Sequence, residues 1–230
     1  MKKLSNKDIS NTKKRYSERF STYGHDQRSV GWGEKGRQLE RFKILLDSIK
    51  LDPSQKYDVL DIGAGFGDLF NFLRKSSILV NNYRGYELVE ELVKEGTKTY
   101  GINKNFELLN EDFLGCNQSN NKRFDVAYMS GCFNFKLLDG SNYVYIENCL
   151  KKALQLCRVG VTANFITNRV DYEEDYIFYS DPKRIIDIAY ELSMRFTIDH
   201  SYFPYEFTIA ILKDQSYSKS YPVFADQRLS

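Results

Sequence analysis

The segment Tyr57-Asp58-Val59-Leu60-Asp61-Ile62-Gly63-Ala64-Gly65-Phe66-Gly67-Asp68 opens on an apolar, β-branched run and breaks at three glycines on alternate positions. A run this short, preceded by Pro53 and ended by glycine, reads as a buried strand, with a helix following from about Asp68 to Arg74. The glycines let the backbone turn tightly and approach a ligand without a Cβ, and they expose helix N-terminal amides. A dinucleotide loop needs G-x-G-x-x-G, but the sixth place counted from Gly63 is Asp68. An acid there sits badly against pyrophosphate. A cofactor with a zwitterionic end and no phosphate suits the loop better.

The same alternation extends on both sides. Between Glu34 and Lys50, Leu39, Phe42, Leu45, Leu46 and Ile49 share one helical face. Tyr83 to Leu88 is strand-like, and Val89, Leu92, Val93, Thr97 and Tyr100 mark a helix closed by Gly101. Further strands are expected over Asn105–Phe113, Phe124–Ser130 and Val159–Ile166, with a helix over Asn142–Cys157. After a helix near Pro182–Leu192, Arg195–Tyr202 and Glu206–Lys213 read as two strands joined by Phe203-Pro204-Tyr205. A connection that short makes a hairpin. The expectation is an α/β fold: a doubly wound, mostly parallel seven-stranded sheet with an antiparallel terminal hairpin, helices on both faces and an N-terminal helical extension. Its divisions are a helical or lid extension over 1–56, the cofactor-binding domain over 57–213 and a tail over 214–230.

The chain has 230 residues, with 33 Lys and Arg against 31 Asp and Glu. This near-balance conceals an asymmetry, because residues 1–56 hold 14 basic and 7 acidic side chains. Such a segment is a solvated helix face or an attractor of anionic partners. No apolar run approaches a membrane span, and the start of the chain lacks an apolar block, so a cytoplasmic protein with no membrane partner is expected. Cys116, Cys132, Cys149 and Cys157 form no C-x-x-C pair and read as reduced thiols.

The glycine loop resembles the first motif of the class I S-adenosylmethionine-dependent methyltransferases, (D/E)-x-G-x-G-x-G, which Asp61, Gly63, Gly65 and Gly67 match. The terminal hairpin also fits that family, and the resemblance covers about residues 57–213. It implies S-adenosylmethionine as cofactor, held by the loop including Ala64, and by Glu87 at the ribose with Leu88 beside it. It also implies Asp112 at the adenine amino group, with Glu111 as a one-residue alternative, and Phe113 supplying an apolar or backbone contact there. Ser130 and Gly131 fall where the family lines the methionine end. The whole pattern is similar to small stand-alone bacterial methyltransferases.

Methyl transfer needs alignment of donor and nucleophile, and removal of a proton where the nucleophile is an alcohol. His200, beside Asp199 and near Glu206, is the candidate catalytic base, with a structural histidine in an aromatic turn as the competing reading. The Gly-punctuated stretch before the first core helix suggests a lid, with Tyr23, His25, Arg28 and Trp32 as substrate candidates, joined by Tyr205. Cys132 follows Gly rather than Pro and reads as packing rather than as a nucleophile. Asn164 and Asn168 make a poor Mg²⁺ site, so no metal is expected. The linker 168–180, acidic and aromatic, suits a polyhydroxylated or amine-bearing acceptor and repels nucleic-acid phosphates. The resulting expectation is transfer to O or N of a small molecule, such as a sugar or sugar nucleotide. An RNA methyltransferase and a non-catalytic cofactor-binding scaffold are the alternatives.

Overall fold

The glycine loop stands between the first strand and the first crossover helix of a seven-stranded sheet, in a computed structural model that describes residues 3–33, 36–76, 78–116 and 124–213. The strands are β1 (Lys56–Ile62), β2 (Leu79–Tyr86), β3 (Phe106–Leu109), β4 (Phe124–Met129), β5 (Cys157–Ile166), β6 (Phe196–Asp199) and β7 (Glu206–Leu212). The helices are α1 (Asn6–Tyr23), α2 (Arg37–Asp47), α3 (Asp68–Lys75), α4 (Glu90–Tyr100), α5 (Asn142–Leu156) and α6 (Pro182–Leu192). Strand order is β3-β2-β1-β4-β5-β7-β6, and only the pairings of β7 are antiparallel. The terminal hairpin therefore inserts its second strand between β5 and β6.

Strand periodicity divides the core between the two sheet faces. Val59, Val126 and Tyr128 pack with Phe42, Leu45, Leu69, Phe70 and Leu73 of α2 and α3. Their alternates Leu60, Ile62, Ala127 and Met129 pack with Ile146, Leu150 and Ala153 of α5 and Ile185 of α6. Each of the larger side chains, taken fully out of water, contributes on the order of 1.5–3 kcal/mol, which fixes the register of the whole sheet.

Three elements differ from the sequence reading. β3 stops at Leu109, so Asp112 lies in a turn beyond the strand, whose side chain accepts the amide of Leu114 at 3.2 Å. β6 stops at Asp199, whose Oδ1 accepts the amide and hydroxyl of Ser201 at 2.8 and 2.6 Å. That local turn competes with the ladder, so residues 200–205 form a longer connection than the three-residue turn expected. At the N-terminus α1 runs unbroken over 18 residues. Ser5 caps it by accepting the Asp8 amide at 3.1 Å, and Gly24, at φ 63°, ends it. Glu34 and the tail 214–230 lie outside the described residues.

Candidate functional site

The strand order reverses between β1 and β4, the place where an open α/β sheet leaves a crevice at its C-terminal edge. A cavity there is lined by the loop 61–66, by Tyr86, Glu87 and Leu88 after β2, by Glu111, Asp112 and Phe113 after β3, and by 130–133 after β4. Ten of the eleven residues that the sequence assigned to the cofactor reach it. The exception is Gly67, whose φ of 80° keeps the turn tight. A Cβ there would meet the Phe106 ring at 2.8 Å, so Gly67 serves packing against β3 rather than the cavity.

The loop's amides are directed inward. Gly63 and Ala64 donate to the Tyr86 carbonyl at 2.9 and 3.1 Å, and Gly67 donates to Ala64 at 2.8 Å. The Gly65 amide donates to Glu87 Oε2 at 2.9 Å, and Val89 donates to Oε1 at the same distance. These four loop amides thus bond the chain itself, whereas the sequence reading had amides open to a ligand. The loop presents backbone edges and a carboxylate instead. Burial raises the Glu87 carboxyl above its usual range, and the amides of Val89 and Gly65 oppose that shift. Asp61 is pushed up to about 7, chiefly by burial, against the hydrogen bond from the Tyr83 hydroxyl at 2.5 Å.

On the adenine side assigned by the resemblance, two residues missed in the sequence hold the walls. Asn110 Nδ2 donates to the carbonyls of Glu87 and Leu88 at 3.1 and 2.9 Å. Lys152 of α5, 9% exposed, donates to the carbonyls of Phe113 and Cys116 at 2.5 and 3.0 Å. Neither signal was readable locally, since each depends on a long-range partner. Past β4, Gly131 has φ 71° and its amide donates to Asn164 Oδ1 at 2.7 Å. A Cβ on Gly131 would stand 2.5 Å from the Trp32 ring. Ser130 Oγ is buried with no hydrogen-bond partner among the described residues. Cys132 packs against Gly63, and burial raises its thiol well above the usual range, in keeping with packing rather than nucleophilic duty.

The N-terminal segment covers this cavity. Leu4 lines it from just ahead of α1, Thr12 and Tyr16 from α1, Val30 and Trp32 from the following segment, and Gln38 and Phe42 from α2. Asp8 Oδ1 accepts the Leu138 amide at 3.0 Å, pinning one end of α1 to the β4–α5 loop. The other end is fixed by His25, whose Nε2 lies 3.0 Å from Asp68 Oδ1 and whose ring rests 4.1 Å from Phe66. The hydrogen bond to Asp68 raises the His25 pKa, and partial burial opposes it.

Of the substrate candidates, Trp32 alone lines the cavity. His25 is that tether. Tyr23 is 42% exposed and carries the Arg28 guanidinium 4.7 Å above its ring, while Arg28 forks onto Asp26. The Tyr205 hydroxyl bonds Asp171. His200 also lies outside the lining: the turn at Asp199 carries it to the Pro204 carbonyl, 3.2 Å from Nε2. Among the described residues no cluster of three His, Cys, Asp or Glu side chains is placed to hold a metal ion. Nor is any of their helices long and apolar enough to cross a membrane.

No protein-family model matches the chain, and neither does any curated protein. Solved structures do. The magnesium protoporphyrin IX methyltransferase ChlM from Synechocystis PCC 6803, with bound SAH, has a TM-score of 0.62 at 10% identity, over 90% of this chain and 100% of its own. The DhpI–SAH complex gives 0.58 at 15% identity, over 88% and 93%. The cyclase SpnF gives 0.53 at 12% identity, over 73% and 64%. The chain therefore has a doubly wound α/β fold with its crevice at the β1/β4 reversal. In particular, it has the fold of the class I S-adenosylmethionine-dependent methyltransferases.

Proposed function

We propose that the protein is an S-adenosylmethionine-dependent methyltransferase acting on O or N of a small molecule. The observation that carries this reading is the charge of the cavity. Asp61, Glu87, Glu111 and Asp112 line it, and no Lys, Arg or His does among the described residues. An acidic crevice favours a cofactor bearing a sulfonium and an ammonium, and it opposes the diphosphate of a dinucleotide. The Ser130 hydroxyl, buried and unpartnered among the described residues, adds a polar group with hydrogen-bonding capacity unused.

When bound, the cofactor supplies a methyl carbon already activated by its sulfonium. In this reading Glu87 and Leu88 hold the ribose side, Asp112 and Phe113 the adenine, and Ser130 with Gly131 the methionine end. α1 and Trp32 exclude water from the cavity and so strengthen the interactions within it. With no histidine in the described lining, the arrangement suits an acceptor atom that already carries a free lone pair, such as an uncharged amine, better than a neutral sugar hydroxyl.

Calorimetric titration with S-adenosylmethionine, S-adenosylhomocysteine and NAD tests the reading. Binding of the two sulfur ligands without NAD is the expected result; NAD binding, or none of the three, removes it. The scaffold reading draws on the cyclase SpnF, whose name shows the fold in a protein not called a methyltransferase. It predicts cofactor binding without conversion to S-adenosylhomocysteine in the presence of any acceptor.

A further inference from the structure

A second, open groove of about 720 Å³ lies on the outer side of α1, between that helix, the segment 135–138 and residues 175–176. It shares Phe135 and Leu137 with the inner cavity, and α1 serves both. Thr12 and Tyr16 line the inner cavity, while Lys14, Arg15 and Arg19 line the outer groove. The two spaces have opposite charge. The inner one is acidic; the outer one holds those three cations and Lys136 against the carboxylates of Glu18 and Asp175.

Arg15 is the organised group. Its Cζ stands 3.9 Å from the centre of the Tyr176 ring and 6.0 Å from that of Phe135. The ring contact holds the guanidinium without using its N–H donors, and Arg15 has no hydrogen bond or ion pair among the described residues. Lys136 is tied to the same residue, since its amide donates to the Tyr176 carbonyl at 3.0 Å. Lys14 is 3.9 Å from Glu18, with both side chains largely exposed, so that pair neutralises little.

We propose that this groove binds the phosphate or diphosphate of a phosphorylated small-molecule acceptor, whose methyl-accepting end reaches over Phe135 and Leu137 into the inner cavity. The proposal rests on the methyltransferase reading for the acceptor's role, but the anion site stands on the groove alone. An arginine held over an aromatic ring with its donors unused presents a fork that matches a phosphoryl edge, and a surplus of two positive charges matches one dianionic group. Glu18 and Asp175 interrupt the basic surface, which disfavours a long polyanion such as RNA. The acidic linker is thus not a barrier to phosphate here: of its charged groups, Asp175 alone lines the groove, and its Tyr176 seats the arginine.

The test is titration of the full-length protein with inorganic pyrophosphate and uridine diphosphate at low salt, with and without S-adenosylhomocysteine. Saturable binding is expected for both, weakened about tenfold or more by Arg15→Gln and also reduced by Lys136→Gln. S-adenosylhomocysteine affinity is expected to stay within about twofold in both variants, since neither residue lines the inner cavity. Absence of binding to the wild type, equal binding by Arg15→Gln, or binding of RNA oligonucleotides with none of the small phosphates would each overturn the proposal. Loss of the methyltransferase reading is seen separately, as failure to bind S-adenosylhomocysteine while pyrophosphate still binds.

Discussion

The carboxylate of Glu87, just past the end of β2, and the amide of Gly65, in the loop after β1, lie 2.9 Å apart at the C-terminal edge of the sheet. With the Val89 amide on its other oxygen, Glu87 braces the glycine loop from within while facing the cavity. Glu87→Ala leaves two buried amides unpaired, at about 1–3 kcal/mol each where water does not replace the carboxylate. A lowered melting temperature together with at least tenfold weaker S-adenosylmethionine binding is expected. A variant that melts like the wild type would show that the brace is dispensable.

Asp61 gives a pH dependence with a definite sign. Its carboxyl is raised in the folded state to about 7, so folding disfavours its ionisation. Below about pH 4 both states are protonated and the group contributes no pH dependence; between about 4 and 7 the unfolded state ionises first and stability falls; above that the loss is complete. Asp61→Asn, which retains an acceptor for Tyr83, removes this slope. Denaturant unfolding at pH 4.5 and pH 7.5, values about either side of the shift, checks it: the variant's advantage over wild type must grow at the higher pH, on the order of a few kcal/mol at most.

His25 has the opposite slope. A raised histidine pKa means that its stabilisation is complete below the unfolded value, near 6.5, and lost as pH rises through the folded one. The side chain is 25% exposed, so the effect is about 1 kcal/mol or less. His25→Gln therefore lowers the melting temperature more at pH 6 than at pH 8.5, and accelerates hydrogen exchange in residues 24–32 relative to wild type by a larger factor at the lower pH. Equal losses at both pH values would place the stabilisation in ring packing on Phe66 alone.

How far these residues could be seen in advance follows from the range of their interactions. The glycine turn, Glu87 and the 111–113 turn were legible because strand ends at known intervals carry them. α1 was legible only as part of a helical extension and not by its bounds, because its inward side chains Thr12, Tyr16 and Phe20, partly buried, come at four-residue spacing among many charges, too few apolar groups to set a period. His200 misled because its strand was read as continuing to Tyr202, whereas Asp199 turns the chain sooner and carries the imidazole aside. Lys152 and Arg41 gave no sign, since a buried cation looks like a surface one until its partner 36 to 165 residues away is placed.

Arg41, 5% exposed, forks onto Glu206, with Nε 2.6 Å from Oε2, and its guanidinium stands 4.1 Å from the Trp32 ring. Removing the cation strands a carboxylate only 13% exposed, so Arg41→Met is expected to cost up to about 3 kcal/mol. Adding Glu206→Gln removes that charge and recovers much of the loss. Trp32 is the only tryptophan, so its emission reports whether the ring still sits over Gly131 in each variant. Two additive losses in the double variant would mean that the pair is not a unit.

Lys152 reaches from α5 to the two carbonyls that close the turn after β3, with its ammonium 4.8 Å from the Phe113 ring. It does not line the cavity, so it acts on a ligand only through the position of Phe113. Lys152→Met keeps the length and apolar stem but orphans both carbonyls, for about 1–3 kcal/mol of stability. Because Phe113 is the adenine wall in the proposed function, affinity for S-adenosylhomocysteine, measured well below the variant's melting temperature, is expected to fall about tenfold. Lys152→Arg, which keeps the charge and the donors, is expected to recover part of it. A variant that is less stable yet binds with wild-type affinity would show that Tyr86, edge-on to Phe113 at 5.5 Å, holds the ring unaided.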